Sequence, residues 1–161
     1  MTGEPEENMP SRTYMVVIDE TAEARVALRF ATRRAVKTNG HVLILALIPP
    51  AEFIQWGGVQ AAMEEEAIAR AEGLLAQIAG EMMDEAGIRP AIMVRQGEPS
   101  DVVAEVLASD RNVDALVLGA AAKGGPGPLV SHFTGEAAGQ LPCPLMIIPG
   151  AISNEALDRM S

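Results

Sequence analysis

Residues 113–119 read Val-Asp-Ala-Leu-Val-Leu-Gly, and a loop of glycine and proline, Lys-Gly-Gly-Pro-Gly-Pro, occupies residues 123–128. The first stretch is a short apolar run of the kind that forms a buried strand. A helix-like run follows the loop, and then a second apolar run, Pro-Leu-Met-Ile-Ile-Pro, at residues 144–149. A strand that ends in glycine and leads through a loop into a helix marks the carboxyl edge of a parallel sheet. Ligands bind at that edge in open α/β folds.

The same alternation of apolar runs and helical patterns extends over the rest of the chain. Further strands are predicted at residues 14–18, 42–48 and 90–94, and helices at residues 21–38, 64–86, 99–107 and 134–140. Near-continuous apolar strands separated by helices indicate a parallel sheet that is covered on both faces. The predicted fold class is therefore α/β, a single doubly wound, five-stranded parallel sheet with helices on both faces.

A chain of 161 residues predicts one domain. We expect this domain to span residues 12–150. Residues 1–11 hold glutamates and prolines without an apolar core, which predicts a disordered lead-in. Residues 51–63 lack a clear period and predict an irregular crossover, and residues 151–161 are interpreted as a C-terminal surface tail.

Composition excludes several classes of function. Twelve basic residues against 22 acidic ones give a net charge of −10, which repels phosphate backbones and argues against a nucleic-acid partner. No apolar run approaches the roughly 20 residues that span a bilayer, so no membrane partner is expected. Cys143 is the one cysteine, which excludes an intrachain disulfide and favours the cytoplasm. No metal-binding motif is present, so no metal site is predicted.

Several stretches, in this order, resemble the universal stress protein family. The stretches are the apolar strand that ends at Asp19, the pair Ala27-Leu28, the strand at residues 42–48, Gly97-Glu98-Pro99, the strand at residues 113–119, and the run Pro-Cys-Pro-Leu-Met-Ile-Ile at residues 142–148. None of them is specific alone, but the ordered set with matching gaps covers nearly the whole of residues 12–150. The chain is therefore identified as similar to that family.

The resemblance implies a flavodoxin-like sheet, also found in adenine-nucleotide hydrolases, with strand order 3-2-1-4-5. It implies homodimers that pair through the last strand, which begins at Leu145 and ends at Ile148. In one branch of the family it implies ATP or a related adenine nucleotide at the strand tips. In that branch Asp19 would lie beside the ribose, and the main chain of Leu47 would contact adenine.

The phosphate motif of that branch, Gly-x-x-Gly followed further on by Gly-Ser or Gly-Thr, is degenerate here. Gly119 matches the first glycine, but Ala121 or Ala122 stands where the second is expected. Ser131-His132 occupies the place of Gly-Ser. Because the motif is degenerate, the resemblance does not assign the residues that would contact phosphate.

Two hypotheses remain open for the loop after Gly119. As a modified nucleotide site, it would use Lys123 as the counter-charge to phosphate and Ser131, His132 and Thr134 as donors near a helix start. As a rigid surface loop of a non-binding branch, it would use Ser131 and Thr134 only as helix caps. Pro126 and Pro128 each remove a backbone donor from the first alternative.

Asp19 and its neighbours also carry alternatives. An aspartate between a strand and a helix acts either as an N-cap or, at this edge of the sheet, as an acceptor for ribose hydroxyls. We predict that Thr21 caps the first helix and that the side chain of Leu47 packs in the core.

The function that fits these observations best is a cytoplasmic, dimeric binding or regulatory protein with an adenine nucleotide, such as ATP, as its ligand. No catalytic residue is assigned. The alternative is a slow nucleotide hydrolase or nucleotide sensor that uses Asp19 and the loop after Gly119. A phospho-receiver is disfavoured because Val94-Arg95-Gln96, and not an aspartate, ends the third strand. An NAD site is disfavoured because Asp19-Glu20-Thr21 replaces the glycine-rich turn.

Overall fold

The computed structural model describes residues 11–48 and 57–161. Five strands form the sheet: β1 (Thr13–Ile18), β2 (His41–Ile48), β3 (Ala91–Gln96), β4 (Ala115–Ala120) and β5 (Leu145–Pro149). The helices are α1 (Ala22–Thr38), α2 (Gly57–Ala86), α3 (Pro99–Ser109), α4 (Pro128–Thr134) and α5 (Asn154–Met160), with a 3₁₀ helix at Glu136–Gln140. All strand pairs are parallel, and their order is β3-β2-β1-β4-β5. The predicted fold class and the strand order implied by the resemblance are confirmed.

Alternate residues of the central strand β1 point to opposite faces of the sheet, as the pleat of a strand requires. Tyr14 and Val16 lie in an apolar cluster with residues of α1, α2 and α5. Met15 and Val17 lie in a second cluster with residues of α3 and α4. Both faces are therefore covered, which explains why the strands read as continuous apolar runs.

The first helix begins and ends at the residues that sequence reasoning indicated. Thr21 is its N-cap, and its side-chain oxygen accepts a hydrogen bond from the amide of Ala24 at 3.3 Å. Asn39 ends it in the left-handed conformation at φ 51°, and its amide donates to the carbonyl groups of Ala35 and Val36. These caps fix α1 between the tip of β1 and the start of β2.

The second helix begins earlier than predicted. Part of the predicted irregular crossover, residues 57–63, belongs to α2, whereas residues 51–56 lie outside the described residues. Ala61, Ala62 and Met63 are good helix formers, but they are exposed. A helical segment that buries no face shows no apolar stripe, and this explains the late boundary predicted from periodicity.

The last predicted core helix, at residues 134–140, is also corrected. Pro128 begins α4, which ends at Thr134, and a 3₁₀ helix follows after Gly135. Pro128 occupies the first turn, where its missing N–H costs no hydrogen bond. The N-cap residue is Gly127, so neither Ser131 nor Thr134 caps the start of this helix.

The predicted surface tail contains a packed helix. Ser153 caps α5 by accepting the amide of Ala156 at 3.2 Å, and Leu157 is 1% exposed in the cluster beneath α1. Arg29 donates two hydrogen bonds of 2.9 Å to the carboxylate of Asp158, and Arg33 forms a second ion pair with it. The bonds from Arg29 lower the pKa of Asp158. These contacts attach α5 to the middle of α1, beside a groove of about 510 Å³ between α1 and α2.

Candidate functional site

The carboxyl ends of β1 and β4 lie next to each other at the point where the chain changes direction across the sheet. The connection after β1 runs through α1 towards β2, and the connection after β4 runs towards β5 on the opposite side. Such a switch point opens a crevice between neighbouring strand ends. A cavity of about 260 Å³ occupies this crevice. Its lining residues are Val17, Asp19, Thr21, Glu23, Ala24, Leu47, Pro99, Leu118, Gly119, Pro126, Gly127, Pro128, Leu129 and Val130.

Asp19 stands directly after β1 and is tied to the next turn of chain. Its Oδ1 accepts hydrogen bonds from the amide of Thr21, at 2.9 Å, and from the hydroxyl of Thr21. Because Thr21 is the N-cap of α1, Asp19 does not have that role. Within the described ranges, Oδ2 receives no hydrogen bond, so this oxygen is available to a ligand in the cavity.

Gly119 lies where β4 crosses the first turn of α1 in close contact. A Cβ atom at this position would overlap the carbonyl group of Glu23, a backbone group that cannot swing aside. Gly119 is therefore required by packing between the strand and α1. This requirement exists whether or not a phosphate ever approaches the glycine.

Glu23 is a lining residue that sequence reasoning missed. It is half-buried in the first turn of α1, and its Cβ would also lie 3.2 Å from a Cβ built on Gly150, just after β5. An acidic residue in the first turn of a helix is common because it complements the helix dipole. The sequence therefore gave no reason to assign Glu23 to the cavity. Its position there follows from the packing of β4 across α1.

The loop before α4 forms one wall of the cavity. Gly127 adopts φ 108°, a conformation that favours glycine, and leads into Pro128. The amide of Ala121 donates to the carbonyl of Pro126 at 3.2 Å, and the amide of Ser131 donates to the carbonyl of Gly127 at 3.0 Å. These bonds hold residues 126–130 against the ends of β1 and β4.

Leu47 and Pro99 also line the cavity. Leu47 is partly buried against the cluster under α3 and α4, near the end of β2. Pro99 is the first residue of α3, whose N-cap Glu98 accepts hydrogen bonds from the hydroxyl of Ser100 at 2.7 Å and the amide of Asp101 at 3.1 Å. The bond from the hydroxyl of Ser100 lowers the pKa of Glu98, and the bond from the amide of Asp101 adds to this effect. The capped turn holds Pro99 over the cavity.

Of the seven residues predicted to bind a nucleotide, the structure brings Asp19, Leu47 and Gly119 together on the lining. The other four lie outside it. Lys123 is exposed on the loop, and Ser131 and His132 are exposed on α4.

Two of the remaining side chains make local contacts on or beside α4. The His132 ring contacts Phe133 edge-on with ring centroids 4.8 Å apart. The hydroxyl of Thr134 donates to the carbonyl of Val130 at 2.7 Å. Cys143 lies in the bend before β5 and is half-buried, and burial raises the pKa of its thiol.

Within residues 11–48 and 57–161, no group of three or more His, Cys, Asp or Glu side chains is arranged to hold a metal ion. Over the same residues, no helix has both the length and the apolar character needed to cross a membrane.

Comparison with known proteins gave one family and several similar structures. The model of the universal stress protein family matches residues 10–149. No curated protein matches the sequence. The structure of the universal stress protein UspA from Lactobacillus plantarum superposes with a TM-score of 0.74 at 17% identity, covering 88% of this chain and 99% of that one.

Two further structures carry an adenine nucleotide. The universal stress protein from Archaeoglobus fulgidus in complex with dAMP has a TM-score of 0.58 at 18% identity, covering 87% of this chain and 99% of that one. A universal stress protein family protein from Arabidopsis thaliana with AMP bound has a TM-score of 0.54 at 21% identity, covering 86% of this chain and 91% of that one. At these sequence identities the similarity of the structures is evidence for the fold alone.

Proposed function

The chain belongs to the universal stress protein family, and we propose that it is a dimeric cytoplasmic binding protein whose cavity holds the adenosine part of an adenine nucleoside or nucleotide. The observation that carries this proposal is the meeting of Asp19, Leu47 and Gly119 around one cavity at the switch point between β1 and β4. The dAMP and AMP complexes of the two similar folds support adenine as the base.

The wall residues suit a nucleoside in chemical terms. Leu47, Leu118, Pro99 and Leu129 offer apolar surface for a planar base. Oδ2 of Asp19 is an acceptor at the polar end, where ribose hydroxyls would donate to it. A site of this kind has an apolar body and a few placed polar groups, as ligand cavities usually do.

A hydrolase is less well supported than a binding protein. Hydrolysis of a phosphate ester needs a base that faces an attacking water. His132, the one histidine near the loop, is exposed on α4 outside the cavity lining and contacts Phe133.

Dimer formation is supported by the edge of the sheet. The strand β5 is an edge strand, so one side of its backbone has no neighbouring strand in the chain. A shallow depression of about 430 Å³ lies beside it, lined largely by apolar side chains that include Phe30, Met146 and Met160. The buried Nε of Arg34, at the border of the depression, has no hydrogen-bond partner among the described residues. A second copy on this edge would cover the apolar surface and supply acceptors.

Substitution of Asp19 tests the ligand proposal. In Asp19→Asn the amide oxygen still accepts from Thr21, but the charged acceptor for the ribose is lost. We expect the affinity for adenosine to fall at least about tenfold, because a hydrogen bond to a charged group is worth about 1.5–3 kcal/mol. Isothermal titration calorimetry with the purified chain measures this change.

Two controls make the result specific. The affinity for 2′,3′-dideoxyadenosine, which lacks both hydroxyls, should be weak and equal in the parent protein and in Asp19→Asn. Glu20→Gln, an exposed neighbour outside this cavity, should leave adenosine binding unchanged. If Asp19→Asn lowered the affinity for both ligands by the same factor, Asp19 would be needed for the fold of the site and would not bind the ribose.

A further inference from the structure

We propose that the cavity selects for the nucleoside over its phosphorylated forms, so that adenosine binds more tightly than AMP, and AMP more tightly than ATP. This inference rests on the proposed function. It concerns the charge and the backbone donors at the end of the cavity where phosphates would lie, near Gly119.

The charge at that end of the cavity is negative. Asp19 and Glu23 are lining residues, and no Lys or Arg lines the cavity in the described part of the chain. Residues 1–10 and 49–60 contain no Lys or Arg in their sequence, so all twelve of these basic residues lie elsewhere in the chain. A phosphate placed beside Gly119 would therefore meet two carboxylates without a matching cation. Like charges brought together at a binding site lower affinity strongly.

The dipole of α1 does not offset these carboxylates. Its N-terminus faces the same region and carries the equivalent of about half a positive charge. The two carboxylates together carry a negative charge about four times as large as this positive charge. Thr21, the N-cap, is hydrogen-bonded to Asp19 and so already has its hydroxyl proton engaged.

The loop has lost some of the backbone donors that a phosphate would need. Pro126 and Pro128 have no N–H group, and the amides of Ala121 and Ser131 already donate to carbonyl groups within the loop. A phosphate cradle depends on several free amides that converge on one point. The two prolines and the two occupied amides therefore leave this loop with fewer converging donors than a glycine-rich cradle has.

The size of the cavity agrees with a small ligand. Its volume of about 260 Å³ lies below the range of roughly 300–1,000 Å³ that is usual for drug-sized ligands. A nucleoside is closer to this size than a nucleoside triphosphate is.

A series of titrations tests the inference. Adenosine, AMP, ADP and ATP are titrated into the full chain by calorimetry, with a chelator and again with Mg²⁺. We expect affinity to fall at least about tenfold from adenosine to ATP, since each added charge approaches the two carboxylates. Glu23→Gln should raise the affinity for ATP relative to the affinity for adenosine at least about threefold. The matched variant Glu155→Gln, at an exposed position of α5, should alter neither affinity.

The outcomes separate the two proposals. Absence of binding by every member of the series would reject the proposed function itself. Tightest binding by ATP, with or without Mg²⁺, would overturn the selection for the nucleoside while the proposed function stands. A large loss of ATP affinity in Lys123→Ala would also overturn it, since Lys123 would then serve as the missing cation.

Discussion

Gly119→Ala is expected to destabilise the fold by about 3 kcal/mol or more, the upper end of the cost of overpacking a core. The added Cβ overlaps the carbonyl group of Glu23 in the first turn of α1. Neither partner can yield cheaply, because β4 is an inner strand of the sheet and Leu116 within it is 0% exposed. Urea unfolding followed by circular dichroism measures the change in the free energy of unfolding.

The same substitution elsewhere in the chain provides the control. A Cβ on Gly73, within α2, would have no atom within 4 Å. Gly73→Ala should therefore stabilise the protein by about 0.5–1 kcal/mol, the difference between alanine and glycine in a helix. A free energy of unfolding for Gly119→Ala within about 0.5 kcal/mol of the parent value would contradict the close contact between β4 and α1.

Ile147→Asp is expected to convert a dimer into a monomer. Ile147 lies on the edge strand β5 and is 38% exposed in the single chain, beside the depression that a second copy would cover. Two-fold symmetry places the substitution twice in one interface. An unpaired carboxylate buried there should weaken dimerisation by about 4 kcal/mol, roughly a thousandfold. Sedimentation velocity at micromolar protein measures the mass.

The opposite edge of the sheet offers a matched variant. Ile92 lies on β3, the other edge strand, and is 42% exposed. Ile92→Asp adds the same charge at a comparable exposure and should leave the dimer intact. If the parent protein were a monomer, the dimer proposal would be wrong. If Ile92→Asp abolished the dimer and Ile147→Asp did not, the interface would be at β3.

The sheet could be predicted from local pattern because both of its faces are buried. Apolar residues at nearly every position of β1, β2 and β4 leave no other stable place for these strands. The order of the strands is not contained in that pattern, because it depends on which side of the sheet each connection takes. It came from the resemblance to the family, and the register between Tyr14 and Ala115 agrees with it.

The C-terminal helix was missed because it depends on distant residues, and residues 61–63 of α2 were missed because they are exposed. The C-terminal helix α5 is attached by Arg29 and Asp158, which are 129 residues apart in the chain. Its one buried apolar side chain, Leu157, gives no periodic signal. Residues 61–63 of α2 are exposed, so a pattern based on burial could not detect them.

The candidate site was predictable in part for the same reasons. Asp19 follows β1 and Gly119 lies near the end of β4. Parallel strands bring their carboxyl ends to one edge. Lys123 could not be placed, because the course of its loop depends on left-handed glycines at Gly124 and Gly127. Glu23 was overlooked because its proximity to Gly119 arises only when β4 packs on α1.

The most direct measurement is a titration of the ¹⁵N-labelled chain with adenosine, followed by two-dimensional NMR. Binding in the cavity predicts saturable shifts that are largest at the amides of Asp19, Leu47, Gly119 and Gly127, on all sides of the cavity. Unchanged spectra at millimolar adenosine, or shifts confined to the groove between α1 and α2, would contradict the account.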